Sequence, residues 1–156
     1  ADPAIQENWQ AMLGDYRVNR AYPWPEFTEA GAVLALGSDA PTAPHPPLPN
    51  MFIATTRRSA IDPSLAPNLP KYALPLADAL AHATRDAAYS CRWEDVTGQL
   101  VRGKAADFVV LKQDPFTEGV DSLLTTEIAM TVVAGSVRYD AAGAKSTEAR
   151  NTESDS

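Results

Sequence analysis

The hydrophobic pattern changes texture several times along the chain, and each change predicts an element. Residues Ile5 to Met12 have helical character, which Gly14 and Asp15 break. A second short helix is signalled by Pro25 in a first-turn position, then EFTEA, with Gly31 at its C-terminal end. AVLAL follows over residues 32–36, and its apolar residues are continuous rather than alternating. Such a run predicts a strand covered on both faces, as a parallel strand flanked by helices requires. Prolines cluster from Pro41 to Pro49, which predicts an ordered loop that is neither helix nor inner strand. Asn50 is placed to cap a helix running through MFIATTRRSA, and a second proline-rich loop extends to Pro75. Leu76, Ala79, Leu80, Ala83 and Ala87 then recur at helical spacing, predicting one amphipathic helix to Ser90. Beyond Gly98 the period shortens. ADFVVLK and MTVVAGSVRYD are rich in β-branched residues and bounded by turn signals, so they read as strands. The last stretch, residues 142–156, is polar and aperiodic and predicts a disordered tail.

Composition narrows the class more than the fold. The chain of 156 residues is 45% hydrophobic, enough for a core, and no internal repeat is visible. The net charge of −7 comes from scattered charges, which argues against a nucleic-acid surface built from clustered Lys and Arg. No run approaches the ~20 apolar residues of a bilayer span, and ADPAIQENWQ lacks the features of a secretory signal. The opening reads as a chain entered partway through. Cys91 is alone, which excludes a disulfide framework or thiolate cluster within the chain and fits a reducing, cytoplasmic compartment.

Each candidate for chemistry has a purely structural competitor. GQLVRGKA over residues 98–105 matches a phosphate-binding loop at both glycines and the lysine. Ala105, however, replaces the magnesium-binding Ser or Thr, and a strand follows where a helix is needed, so a turn is the better reading. His45 and His82 are too far apart in sequence for a local metal-binding pair. His82 is expected as a partly exposed helix-face histidine, whereas His45, in the rigid loop after Asp39, is a candidate for a pocket mouth. Cys91 has no His or cationic partner nearby in sequence and is read as structural. Ser38 lies in GSD rather than GxSxG, so there is no nucleophile elbow. The three tryptophans are read as packing residues, although Trp24, between prolines, could line a pocket. Arg17 and Arg20 could meet a substrate or hold a loop. Asp39 ends the apolar run, either as a turn residue ahead of Pro41 or as a functional carboxylate at the end of a parallel strand, where α/β barrels gather their catalytic groups.

The order of motifs adds a further argument. RAYPW, EAGAVLALGSDAP, IATTRR, ADALAHATRDAAY, GQLVRGKAADFVVLKQDP and MTVVAGSVRYD in succession resemble the C-terminal part of the amidohydrolase superfamily. The branch most similar is the YtcJ-like one, which includes N-substituted formamide deformylases. The resemblance implies an α/β fold: the end of a metal-dependent (β/α)8 barrel over residues 1–94, and strands of an accessory β-sandwich over 95–141. It implies that AVLALGSD is the eighth barrel strand and that Asp39 is both metal ligand and catalytic group. Such a carboxylate handles the proton of a water whose pKa the metal lowers from ~15.7 towards ~7. It further implies hydrolysis of non-peptide, amide-type C–N bonds. Tyr22, Trp24 and His45 are candidate substrate contacts from their own positions, near Asp39 in the sequence, and not through the resemblance.

The family's HxH pair, its carboxylate or modified lysine midway, and its later histidines have no matching positions. A zinc site needs about three protein ligands, so no tightly bound metal and no turnover are expected of this chain alone. The divalent metal, zinc, belongs to the complete enzyme. The expected partners are the remainder of an amidohydrolase chain and a small amide, or a second copy bound through an exposed barrel edge in a catalytically silent remnant.

Overall fold

A computed structural model describes residues 9–143. The predicted tail, apart from residues 142 and 143, lies outside the described residues, as does the start of the helical segment at Ile5. The architecture is mixed helix and strand. In order it comprises helices α1 (Trp9–Leu13), α2 (Asp15–Val18), α3 (Trp24–Glu29), α4 (Pro47–Thr56), α5 (Leu76–Ala83) and α6 (Arg85–Ser90), then strands β1 (Phe108–Leu111), β2 (Ile128–Val133) and β3 (Ser136–Asp140). Short 3-10 turns cover Pro70–Tyr72 and Val120–Leu124.

The core is organised around α4. Met51, Phe52 and Ile53 cluster with Leu123 of the second 3-10 turn, and Leu76 and Leu80 of α5 pack against them. Ala54, Leu74 and Ala79 form an adjoining cluster against which Trp24, Leu34 and Leu36 pack. The strands form an antiparallel sheet in the order β1-β2-β3. MTVVAGSVRYD is therefore a hairpin, turning at Ala134 and Gly135, both at positive φ (49° and 75°). A two-residue loop with both central residues in that region matches the right-handed twist of its strands.

Three expectations change. Helix α4 starts at Pro47, ahead of Asn50, because Pro is compatible with a first helical turn, whose amides lack intrahelical acceptors. Asn50 instead donates from Nδ2 to the Pro46 carbonyl at 3.2 Å. The single helix predicted from Leu76 to Ser90 divides at Thr84, whose φ of −122° and ψ of −82° leave the helical region. The Thr84 hydroxyl back-bonds to the Leu80 carbonyl at 2.7 Å, an interaction that bends helices. At this break Gly98 comes close: a Cβ there would lie 2.6 Å from the Ala88 Cβ and 3.1 Å from the Thr84 carbonyl oxygen.

The third change concerns residues 32–38. They run extended but belong to no ladder, and their burial alternates, with Leu34 and Leu36 half-buried and Val33 55% exposed. One face is covered, not two. Among the described residues no parallel neighbour offers the hydrogen bonds that would complete a strand.

Candidate functional site

The extended run delivers Asp39 to the rim of a cavity of about 600 Å3. Its register is fixed on one side by Leu34 and Leu36 packing into the second core cluster, and by the Leu36 amide donating to the His82 carbonyl at 3.1 Å. At Asp39 the backbone turns into the left-handed region (φ 55°), a conformation that aspartate tolerates better than most residues. The Thr42 amide donates to the Asp39 carbonyl at 2.8 Å, closing a turn over Ala40 and Pro41. Asp39 is exposed, and its position lines the cavity together with Gly37 and Ser38. The turn and the pocket are thus both present: the residue stops the run and borders the cleft.

Aromatic groups form part of the same lining. Tyr22, at φ 55°, stacks on Trp9 with centroids 5.9 Å apart and meets Trp24 at 5.8 Å, and all three residues line the cavity with Asp39. Trp24 opens α3, and the Arg20–Glu26 ion pair at 2.6 Å ties the segment before it to the helix. That pair holds the Glu26 carboxyl below its usual range. Arg20 thus holds a loop, and Arg17 donates to the Leu13 carbonyl at 3.4 Å.

Sequence reasoning passed over Arg57. It sits at the C-cap of α4 in the left-handed region and is 1% exposed. Its guanidinium lies 4.6 Å over the centroid of Trp24 and 6.0 Å over that of Tyr22. Nε donates to the Asn68 carbonyl at 2.8 Å, and the Asn68 amide donates back to the Arg57 carbonyl at 2.9 Å. Burial lowers the guanidinium pKa, with Tyr22 opposing that effect.

The histidines separate. His45 is exposed and lines a smaller neighbouring cavity of about 60 Å3, which shares Leu36, Gly37, Ser38 and Asn50 with the larger one. His82 is buried rather than partly exposed, its Nδ1 2.6 Å from Asp86 Oδ2. The i, i+4 spacing of this pair was the readable signal for that contact. Cys91 is exposed. The GQLVRGKA segment is a turn with no helix after it, Lys104 Nζ donating to Gln99 Oε1 at 2.9 Å. Among the described residues no group of three or more His, Cys, Asp or Glu comes together to hold a metal ion. Nor is any helix there long and apolar enough to cross a membrane.

The sequence model of the Amidohydrolase family matches residues 2–139. A YtcJ protein of Bacillus subtilis (strain 168), named as an amidohydrolase, is 33% identical over 132 residues, 82% of this chain and 24% of that protein. The N-substituted formamide deformylase of Arthrobacter pascens is 26% identical over 148 residues, 92% of this chain and 27% of that protein. A solved amidohydrolase structure from Thermotoga maritima MSB8 superposes with a TM-score of 0.54 at 22% identity, covering 74% of this chain and 25% of that one. The chain thus spans about a quarter of the length of the relatives it matches.

Proposed function

The chain belongs to the amidohydrolase family, and from that premise we propose that it supplies the C-terminal end of a metal-dependent hydrolase acting on non-peptide, amide-type C–N bonds. Residues 1–94 are assigned to the end of the catalytic barrel and residues 95–141 to strands of the accessory sandwich. The observation that carries the reading is the cavity with Asp39 on its rim and Tyr22, Trp24 and Trp9 along its wall.

In this reading Asp39 is the proton-handling group. An ionised Oδ accepts the proton of the attacking water and returns it to the departing nitrogen, which would otherwise leave as an unstable amide anion. Tyr22 and Trp24 take the apolar substituent on that nitrogen, and His45 approaches its outer end from the adjoining cavity. The described residues do not fit a complete metal centre: Asp39 offers one carboxylate, and no cluster of further donors stands with it. A divalent ion, zinc in our proposal, would draw its remaining ligands from polypeptide beyond this chain.

The test is Asp39→Asn in the complete enzyme, assayed by release of amine from N-substituted amides. The exchange keeps size but replaces a basic acceptor oxygen by an NH2 donor, so kcat should fall at least about a hundredfold. Near-normal turnover rejects the role. A second reading, a catalytically silent association module, is favoured by residues 32–38 lying outside any β-ladder with Val33 55% exposed.

A further inference from the structure

The mechanism above makes no use of the Arg57 guanidinium. Its Nη1 and Nη2 are buried without hydrogen-bond partners among the described residues. A buried cation is costly, so what accompanies it matters. Here it is aromatic: Trp24 at 4.6 Å and Tyr22 at 6.0 Å.

Taken alone, Trp9, Tyr22 and Trp24 around one cavity would read as a cage for a cationic ligand, since ring faces attract positive charge. In this chain a cation is already supplied from within. Trp24 and Tyr22 line the cavity, whereas Arg57, which lies over the same rings, does not. A ring already engaged by one cation attracts a second less, and salt screens a buried charge poorly. We infer that Arg57 is a specificity determinant, making the Trp24–Tyr22 wall a platform for uncharged apolar groups and a barrier to cationic ones. This rests on the proposed function in taking the ligand to be the nitrogen substituent of an amide. Asp39 borders the same cavity and pulls in the opposite direction, but it is exposed and stays constant when Arg57 is changed.

The experiment is calorimetric titration of the full chain with two probes of one shape, phenethyl alcohol and phenethylammonium, at fixed ionic strength. The measured quantity is the ratio of their affinities. Arg57→Met removes the charge while keeping an unbranched apolar chain, and should lower the neutral-over-cationic ratio at least about tenfold. Arg57→Lys retains the charge and should keep the ratio within about threefold of the parent. An unchanged ratio in Arg57→Met, a lost preference in Arg57→Lys, or no binding of either probe by the parent chain overturns the inference. If Arg57→Met does not fold, Arg57→Gln, neutral and polar, takes its place with the same expected fall in the ratio and the same overturning result. Failure of the complete enzyme to hydrolyse any amide would sink the proposed function while leaving this ratio intact. Intact hydrolysis with an unchanged ratio removes Arg57 alone.

Discussion

At the scale of single residues, the His82–Asp86–Arg85 group couples α5 and α6 to the site, because the His82 carbonyl holds the Leu36 amide three residues before Asp39. Asp86 accepts from Arg85 Nε at 2.6 Å and faces His82 Nδ1 at 2.6 Å. The Arg85 hydrogen bond is the largest influence holding the Asp86 carboxyl below its usual range; burial opposes it, and His82 reinforces it. A depressed carboxyl pKa contributes stability above the unfolded value of about 3.9, and that stability is lost as pH falls through the lower folded value. Asp86→Asn should therefore be less stable than the parent at neutral pH, with the gap closing in acid as the parent's carboxyl is protonated. Urea unfolding at a series of pH values reads this directly. A gap constant from neutrality down to acid would mean that packing, not charge, is what Asp86 contributes.

At the scale of elements, local signals were the ones that could be read. Pro25 lies within the first turn of α3 as expected, and the AG pair at residues 134–135 is an equally local signal, although it divides MTVVAGSVRYD, read as one strand segment, into β2 and β3. What depended on distant chain could not be read. The break at Thr84 is where Gly98 closes against Ala88, and the burial of Arg57 depends on rings more than thirty positions earlier in sequence. The run of residues 32–38 shows the limit most clearly. Continuous apolarity describes a strand inside a sheet, but the neighbouring strands are absent from the described residues, so the same sequence lies extended and half uncovered. Asp39 and its two aromatic partners were legible as a set only through motif order, since nothing in the spacing brings Tyr22 and Trp24 to Asp39. An unladdered edge is a template for pairing. If residues 32–38 drive self-association, Val33→Lys, which puts charge at a side chain now 55% exposed, should shift the isolated chain towards monomer in sedimentation across a concentration series. A parent chain that is already monomeric throughout would remove that second reading.

At the scale of the molecule, the sheet is only partly covered among the described residues: Val132 on its central strand is buried, but its outer strands are not. Val109 and Val110 are adjacent on β1 and so point to opposite faces, yet they are 54% and 42% exposed; Val137 and Tyr139 on β3 are exposed as well. A three-stranded sheet gains independent stability from an apolar face packed against another layer, and here both faces still carry accessible valine. The proposed site is incomplete in the same sense: the cavity has an aromatic lining and a carboxylate, and among the described residues no group of three or more His, Cys, Asp or Glu comes together to hold a metal ion. A catalytic zinc takes three protein ligands with an open fourth position. The isolated chain should therefore carry far less than one zinc per molecule after gel filtration, measured by elemental analysis, and release no amine from N-substituted amides. If, as proposed, further polypeptide supplies the remaining barrel strands, adding it should raise both together, because metal and substrate would then meet donors and walls from both sides of the cavity. One tightly held zinc with turnover in the isolated chain would instead mean that this chain assembles a donor set of its own, and the division of the active site between segments would fall.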